Sequence, residues 1–152
     1  MKKYNASITS SLFWVQESRK TAIYIKDGLS REELCELSRK ENIYMAPSDD
    51  RKRNTTYDRI ILLPPKLIAF LSDCDLESAK IIVLLSIMLK DDLFHDFMVE
   101  VYKEKMMLGD KKIINNDVRI YIEEKRNMYE DAAKISDASV YKLGQTFIDR
   151  KN

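Results

Sequence analysis

The chain has 152 residues, 34% charged and 45% hydrophobic, with a formal net charge of +1. That length buries one substantial core without requiring independent domains. Only 3 Gly and 3 Pro occur, too few for a turn-rich β architecture, so an all-α fold of long helices on short connections is expected.

Charge is unevenly spread. Residues 1–66 hold 13 Lys and Arg against 9 Asp and Glu, residues 67–110 hold 4 against 9, and residues 111–152 hold 9 against 7. Basic ends around an acidic middle fit a central scaffold with an end that contacts a polyanion. Cys35 and Cys74 stand far apart and match no metal or redox spacing, so reduced thiols in the cytoplasm are expected. The start MKKYNASITS has neither the apolar stretch nor the cleavage site of a secretory signal.

In chain order, Ser10 or Ser11 is placed to cap a first helix carrying Leu12, Phe13, Val15, Ala22, Ile23 and Ile25, which Gly28 ends. Trp14, the single tryptophan, is expected in the core or at a lobe interface rather than as a base-stacking platform. Ser30 opens SREE, whose Glu33 completes a reciprocal capping pair for a helix to about Lys40 that buries Leu34 and Leu37. Asn42 to Pro47 is a linker, with Ile43 and Met45 available to pack. Ser48 or Asp49 then opens a helix with Arg51, Lys52, Arg53 and Arg59. Two short helices, the second basic, are compatible with a helix-turn-helix lobe. On composition alone the alternative is a solvated face, with Asp49, Asp50 and Asp58 neutralising part of the charge.

Pro64-Pro65 stops that helix, because proline has no amide donor and disfavours helical geometry in the residue before it. A short helix follows over Lys66 to Leu71, and Asp73 or Asp75 starts a central hairpin. Its first arm, AKIIVLLSIML over Ala79 to Leu89, is apolar all round and is expected to be surrounded by protein. It is shorter than the ~20 residues that cross a bilayer. Its second arm carries Leu93, Phe94, Phe97, Met98, Val101 and Tyr102 as one stripe, the natural cover for the first, and Gly109 ends it. His95, with Asp91 four residues before it, is short of a metal ligand set. Asp91, Asp92 and Asp96 have no companion nucleophile or base, so helix capping and surface charge are expected of them.

Asn115 or Asn116 caps the next helix, and Ser136 or Asp137 the last, which carries Val140, Leu143, Phe147 and Ile148 inward. This pair is a second helix-turn-helix candidate, with Ser139 and Lys142 on the outward side of the first turns, where a recognition helix presents its readers. Together these features predict a compact bundle around a central buried hairpin, with lobes at 1–65, 66–110 and 111–152 and helix-turn-helix-like ends. No phosphate loop, nucleophile elbow or zinc-finger spacing occurs, so no catalytic residue, cofactor or metal is expected.

Taken in order, YNASITS, Phe13-Trp14, Glu17-Ser18-Arg19-Lys20, Arg51-Lys52-Arg53, LKDDLFHDFMVEVYKEKMMLGD and EKRN before AAKISDASVYKL form a series spanning nearly the whole chain. The series resembles the BrxA family, the small component of bacteriophage exclusion (BREX) defence systems. The resemblance implies a small, non-enzymatic helical protein with helix-turn-helix or winged-helix character that binds nucleic acid and works beside other BREX proteins; double-stranded DNA is the expected ligand and the cytoplasm the expected place. It also implies a likeness to the NusB antitermination factor, hence RNA as the alternative ligand, and family members usually continue several tens of residues past the position of Asn152. An inner-membrane label carried by some members disagrees with the hydropathy. On this basis Arg51, Lys52, Arg53 and Arg59 are expected at phosphates, and Ser136, Ser139 and Lys142 at a groove. A protein-interaction adaptor, docking onto a defence component or a second copy, is the competing expectation.

Overall fold

Local signals set most of the helix ends. The computed structural model of the chain describes residues 2–7, 13–45, 49–110 and 112–151. Among these there is no strand, and the class is all-α. The cap sites expected at Ser10, Ser11 and Ser48 lie outside the described residues.

The chain's contacts cluster into two units, Phe13–Lys90 and Met1–Leu12 with Asp91–Asn152. The first expected lobe, less its opening residues, and the first arm of the expected hairpin therefore share one unit. The second arm and the last lobe share the other. The division falls at the point where the hairpin was expected to turn.

Unit Phe13–Lys90 holds α1 (Val15–Lys26), α2 (Arg31–Glu41), α3 (Asp49–Ile60), α4 (Pro65–Asp73) and α5 (Leu76–Lys90). Helix α1 turns the small residues Ser18, Thr21 and Ala22 inward, which lets its neighbours approach closely. It ends at Gly28, φ +89, where the Leu29 and Gly28 amides reach back to the carbonyls of Tyr24 and Ile25 at 3.0 Å each. This paired closure needs the left-handed backbone that glycine adopts freely. Helix α2 starts as expected: Ser30 Oγ accepts from the Glu33 amide at 3.1 Å and Glu33 Oε1 accepts from the Ser30 amide at 3.2 Å. Leu34 is buried, but Leu37 is only half-buried. In the linker Ile43 is half-buried, Met45, expected to pack, is exposed, and the residue that the structure buries is Tyr44.

Pro65 is the first residue of α4, where its missing amide costs nothing. Asp75, not Asp73, caps α5 by accepting from the Ser78 amide at 3.1 Å. Helix α5 buries Ala79, Ile82, Val83, Ser86 and Ile87. It is not enclosed on every side, however: Ile81 is 68% exposed, and Leu85 and Leu89 line the same outward strip. A helix can be apolar on nearly every side and still leave one strip wet, so composition alone overstated its burial.

The other unit holds α6 (Asp92–Phe97), a π-helical turn (Met98–Tyr102), α7 (Lys103–Met107), α8 (Asn115–Met128), a 3-10 turn (Ala132–Lys134) and α9 (Asp137–Lys151). Asp91 caps α6 by accepting from the Phe94 amide at 2.8 Å. The predicted stripe is buried at Leu93, Phe94, Phe97 and Met98. Aromatic rings reach it from α8 and α9: Phe147 lies 5.2 Å from Phe94 and 4.9 Å from Phe97, and Tyr121 lies 5.5 Å from Phe97. Gly109, φ +84, ends α7 as expected, with the Gly109 and Asp110 amides closing on Met106 and Lys105. At α8 neither Asn115 nor Asn116 is the cap. Ile114 occupies that position, and Asp117 Oδ2 accepts from its amide at 2.9 Å.

Candidate nucleic-acid interface

A helix turns about 100° per residue, so three consecutive cations cannot face one way. In α3 the inward stripe is Arg53, Thr56, Arg59 and Ile60. Arg53 is 4% exposed; its Nη1 donates to Ser38 Oγ at 2.8 Å and its Nη2 pairs with Asp50 Oδ1 at 2.9 Å. Beside it runs a neutral network in which Thr21 Oγ1 meets Tyr44 Oη at 2.6 Å and Thr56 Oγ1 at 2.7 Å. Arg59 is 3% exposed. Both arginines therefore belong to the interior of the unit, and the expectation that they touch phosphate is corrected by their burial.

Arg51 and Lys52 remain outside. Arg51 is exposed and its guanidinium sits over the Trp14 ring, 5.6 Å from the centroid. Lys52 Nζ donates to the Tyr44 carbonyl and Lys20 Nζ to the Ile43 carbonyl, both at 3.3 Å. Successive carbonyls thus hold the two ammonium groups. Among the described residues none of these three cations makes an ion pair with a carboxylate. Arg31 with Asp58, Lys105 with Asp117 and Arg126 with Glu123 do.

Trp14, expected in the core or at a lobe interface, is not fully enclosed. It is half-buried, stands at the N-cap of α1 with φ 49 and ψ 58, and makes no side-chain capping bond. A bulky residue in the left-handed region costs about 1–2 kcal/mol.

In the other unit, Ser136 opens α9: its Oγ accepts from the Ser139 amide at 3.1 Å and donates to Ser139 Oγ at 3.0 Å. Lys142, one turn on, is exposed. Beside this helix start lies a groove of about 420 Å³ lined by Lys3, Tyr4, Asn5, Asp131, Lys134, Ser136 and Ser139, among others. Lys3 and Lys134 were not singled out by sequence, nor was Lys20, because only the fold brings them beside the expected residues. Ser136 and Ser139 are engaged with each other as a cap, while Lys142 faces outward as expected. The two sets, Arg51 with Lys52 and Ser136 with Ser139 and Lys142, belong to different units.

The acidic residues do not assemble a catalytic site. Asp96, expected at the surface, has a side chain only 7% exposed; it accepts from Tyr4 Oη and from Lys2 Nζ at 3.0 Å, and lies 3.0 Å from His95 Nδ1. Burial opposes its charge, but the bonds from Tyr4, His95 and Lys2 prevail and hold its pKa down at about 2. Burial, together with the same bond, pushes the Tyr4 phenol up. Lys125 sits alongside, paired with Glu100 at 2.9 Å and 5.3–5.5 Å from the ring centres of Tyr4, Tyr121 and Tyr129. Among the described residues no group of three His, Cys, Asp or Glu side chains could hold a metal ion. No helix among them is long and apolar enough to cross a membrane.

The sequence profile of the BrxA family matches residues 2–149. The chain is 34% identical over 148 residues to the BREX protein BrxA of Bacillus cereus (strain H3081.97), a match covering 95% of this chain and 74% of that protein. Its fold is similar to the crystal structure of an uncharacterized protein from Magnetospirillum magneticum, with a TM-score of 0.81, 18% identity, and coverage of 97% of this chain and 78% of the other. Profile and relative agree with the resemblance carried by the ordered sequence series, and the chain belongs to the BrxA family.

Proposed function

We propose that this chain is a non-enzymatic, DNA-binding accessory protein of a bacterial BREX anti-phage defence system, acting in the cytoplasm beside other BREX proteins. One observation carries this reading: Lys20 and Lys52 are held by the successive carbonyls of Ile43 and Tyr44 and Arg51 by the Trp14 ring, and among the described residues none of the three is ion-paired with a carboxylate. Cations left in that state release counterions when they meet a polyanion, and this is the main source of affinity for duplex DNA. A second contact comes from α8, the 3-10 turn and α9 used as a helix-turn-helix, with Lys142 and Lys134 at phosphates flanking the Ser136 start. Phosphate contacts of this kind give affinity with little sequence choice.

Binding of a labelled DNA duplex, followed by anisotropy at several salt concentrations, tests the proposal. The logarithm of the affinity falls linearly with the logarithm of salt, by about 0.9 for each phosphate contacted. Absence of binding, or binding indifferent to salt, overturns it. A competitor RNA that displaces the duplex at far lower concentration than DNA does would instead support the NusB-like alternative.

The adaptor reading draws on a different feature, the exposed Met107 and Leu108 at the end of α7, 77% and 78% exposed, together with Met128 at 69%. Light scattering and capture of the neighbouring BREX proteins by the tagged chain test it. A monomer that captures none of them rules it out.

A further inference from the structure

We propose that Trp14 and Arg51 form a stacking platform for an unpaired nucleobase, so that this chain engages single-stranded or locally opened DNA as well as duplex. The inference rests on the nucleic-acid reading above and adds to it the form of DNA that this patch takes.

Trp14 stands at a costly backbone position without capping its helix. Its backbone lies at φ 49, where glycine or asparagine fits without crowding, and it supplies no capping bond to α1. Its ring is half-buried, so the core does not fully claim it. What the position does provide is an aromatic surface under an exposed guanidinium, with Arg51 Cζ 5.6 Å from the ring centre. Lys52 is the next residue, and Lys20 reaches the neighbouring carbonyl. A flat ring among unneutralised cations is the combination that grips single strands: bases stack on the ring and on the guanidinium, and the flanking phosphates meet the lysines. Only a base outside the double helix can use such a surface, because in paired DNA both base faces are covered by neighbours.

The chain has one tryptophan, so its intrinsic fluorescence reports on this position alone. The full chain is titrated with an oligothymidylate of about 15 nucleotides and, separately, with closed circular duplex, which has no free ends. The oligothymidylate is expected to quench Trp14 emission on binding. Trp14→Ala is expected to weaken oligothymidylate roughly ten-fold, and circular duplex clearly less, by about three-fold at most through the lost ring contact to Arg51. Trp14→Phe keeps most of the single-strand affinity. Arg51→Gln, which retains the fluorophore and lies on the surface, reduces the quench, so the test does not depend on Trp14→Ala folding; thermal melts of each variant check that. If oligothymidylate binds by anisotropy and Trp14 emission does not change, or if Trp14→Ala and Arg51→Gln bind it as the native chain does, the platform is disproved and the duplex reading stands. If the native chain binds neither DNA, the nucleic-acid reading itself fails.

Discussion

Both units carry charge inside, but they handle it differently. In Phe13–Lys90 an arginine enters the interior and is met by a serine hydroxyl, a nearby neutral hydroxyl network and a rim carboxylate: Arg53 with Ser38 and Asp50. In the other unit an aspartate enters, and cationic and phenolic groups from the first residues of the chain converge on it: Asp96 with Lys2 and Tyr4. The contrast teaches that sequence neighbours with the same charge can have opposite duties. Arg53 holds a fold together, while Arg51 and Lys52, two and one residues earlier, stay outside the core, where we propose that they meet a partner. Burial, not charge type, separates the two roles.

Asp96 is where the second unit should break most easily. Asp96→Ala removes the acceptor of a buried phenol and the partner of Lys2, and about 3 kcal/mol of stability should go with it, a fall in melting temperature on the order of 10 °C. The pH dependence carries the same signature. Because the folded-state pKa is held below the ordinary 3.8, at about 2, the contribution of Asp96 is complete above 3.8 and is lost as pH falls through 2. Acid unfolding of native chain and Asp96→Asn should therefore converge over that window. A variant as stable as the native chain at neutral pH contradicts this.

In the first unit the comparison sharpens into a pair of neighbours. Arg53→Ala leaves Asp50 and Ser38 without their buried partner and should cost about 2–3 kcal/mol in urea unfolding. Arg51→Ala loses only a surface contact with Trp14 and should cost less than about 1 kcal/mol. Equal losses would mean that the two arginines do not differ in role as their burial indicates.

Smaller again is Lys125→Met, which keeps the buried stem but removes the charge facing Glu100 and three tyrosine rings. A loss of about 1–2 kcal/mol is expected, shrinking with added salt only in the Glu100 part, since ring contacts at a buried site are poorly screened.

How far this was legible in the sequence follows the range of the interactions. Helix starts and stops were readable where the signal is local: SREE at Ser30, the glycines at 28 and 109, and Pro64-Pro65 each act within one turn. The stripe from Leu93 to Met98 was readable from its spacing, although its ring partners were not, because Tyr121 and Phe147 lie far along the chain. Asp96 was misread as surface for the same reason, its partners Lys2 and Tyr4 standing 94 and 92 residues away. The basic run at 51–53 does not present one face: Arg51 is exposed and Arg53 is buried. Its helical geometry alone could have warned that Arg53 falls on the stripe of Thr56 and Ile60 and not beside Arg51. Trp14 carried no such signal, since its left-handed backbone is visible only in the fold.

The division of labour between buried and free cations is tested most directly by the salt dependence of duplex binding for the native chain and for the double variant Arg51→Ala, Lys52→Ala. The account predicts that the slope of log affinity against log salt becomes shallower by about 2, with the melting temperature within a few degrees of native. An unchanged slope and affinity in a folded double variant would contradict it.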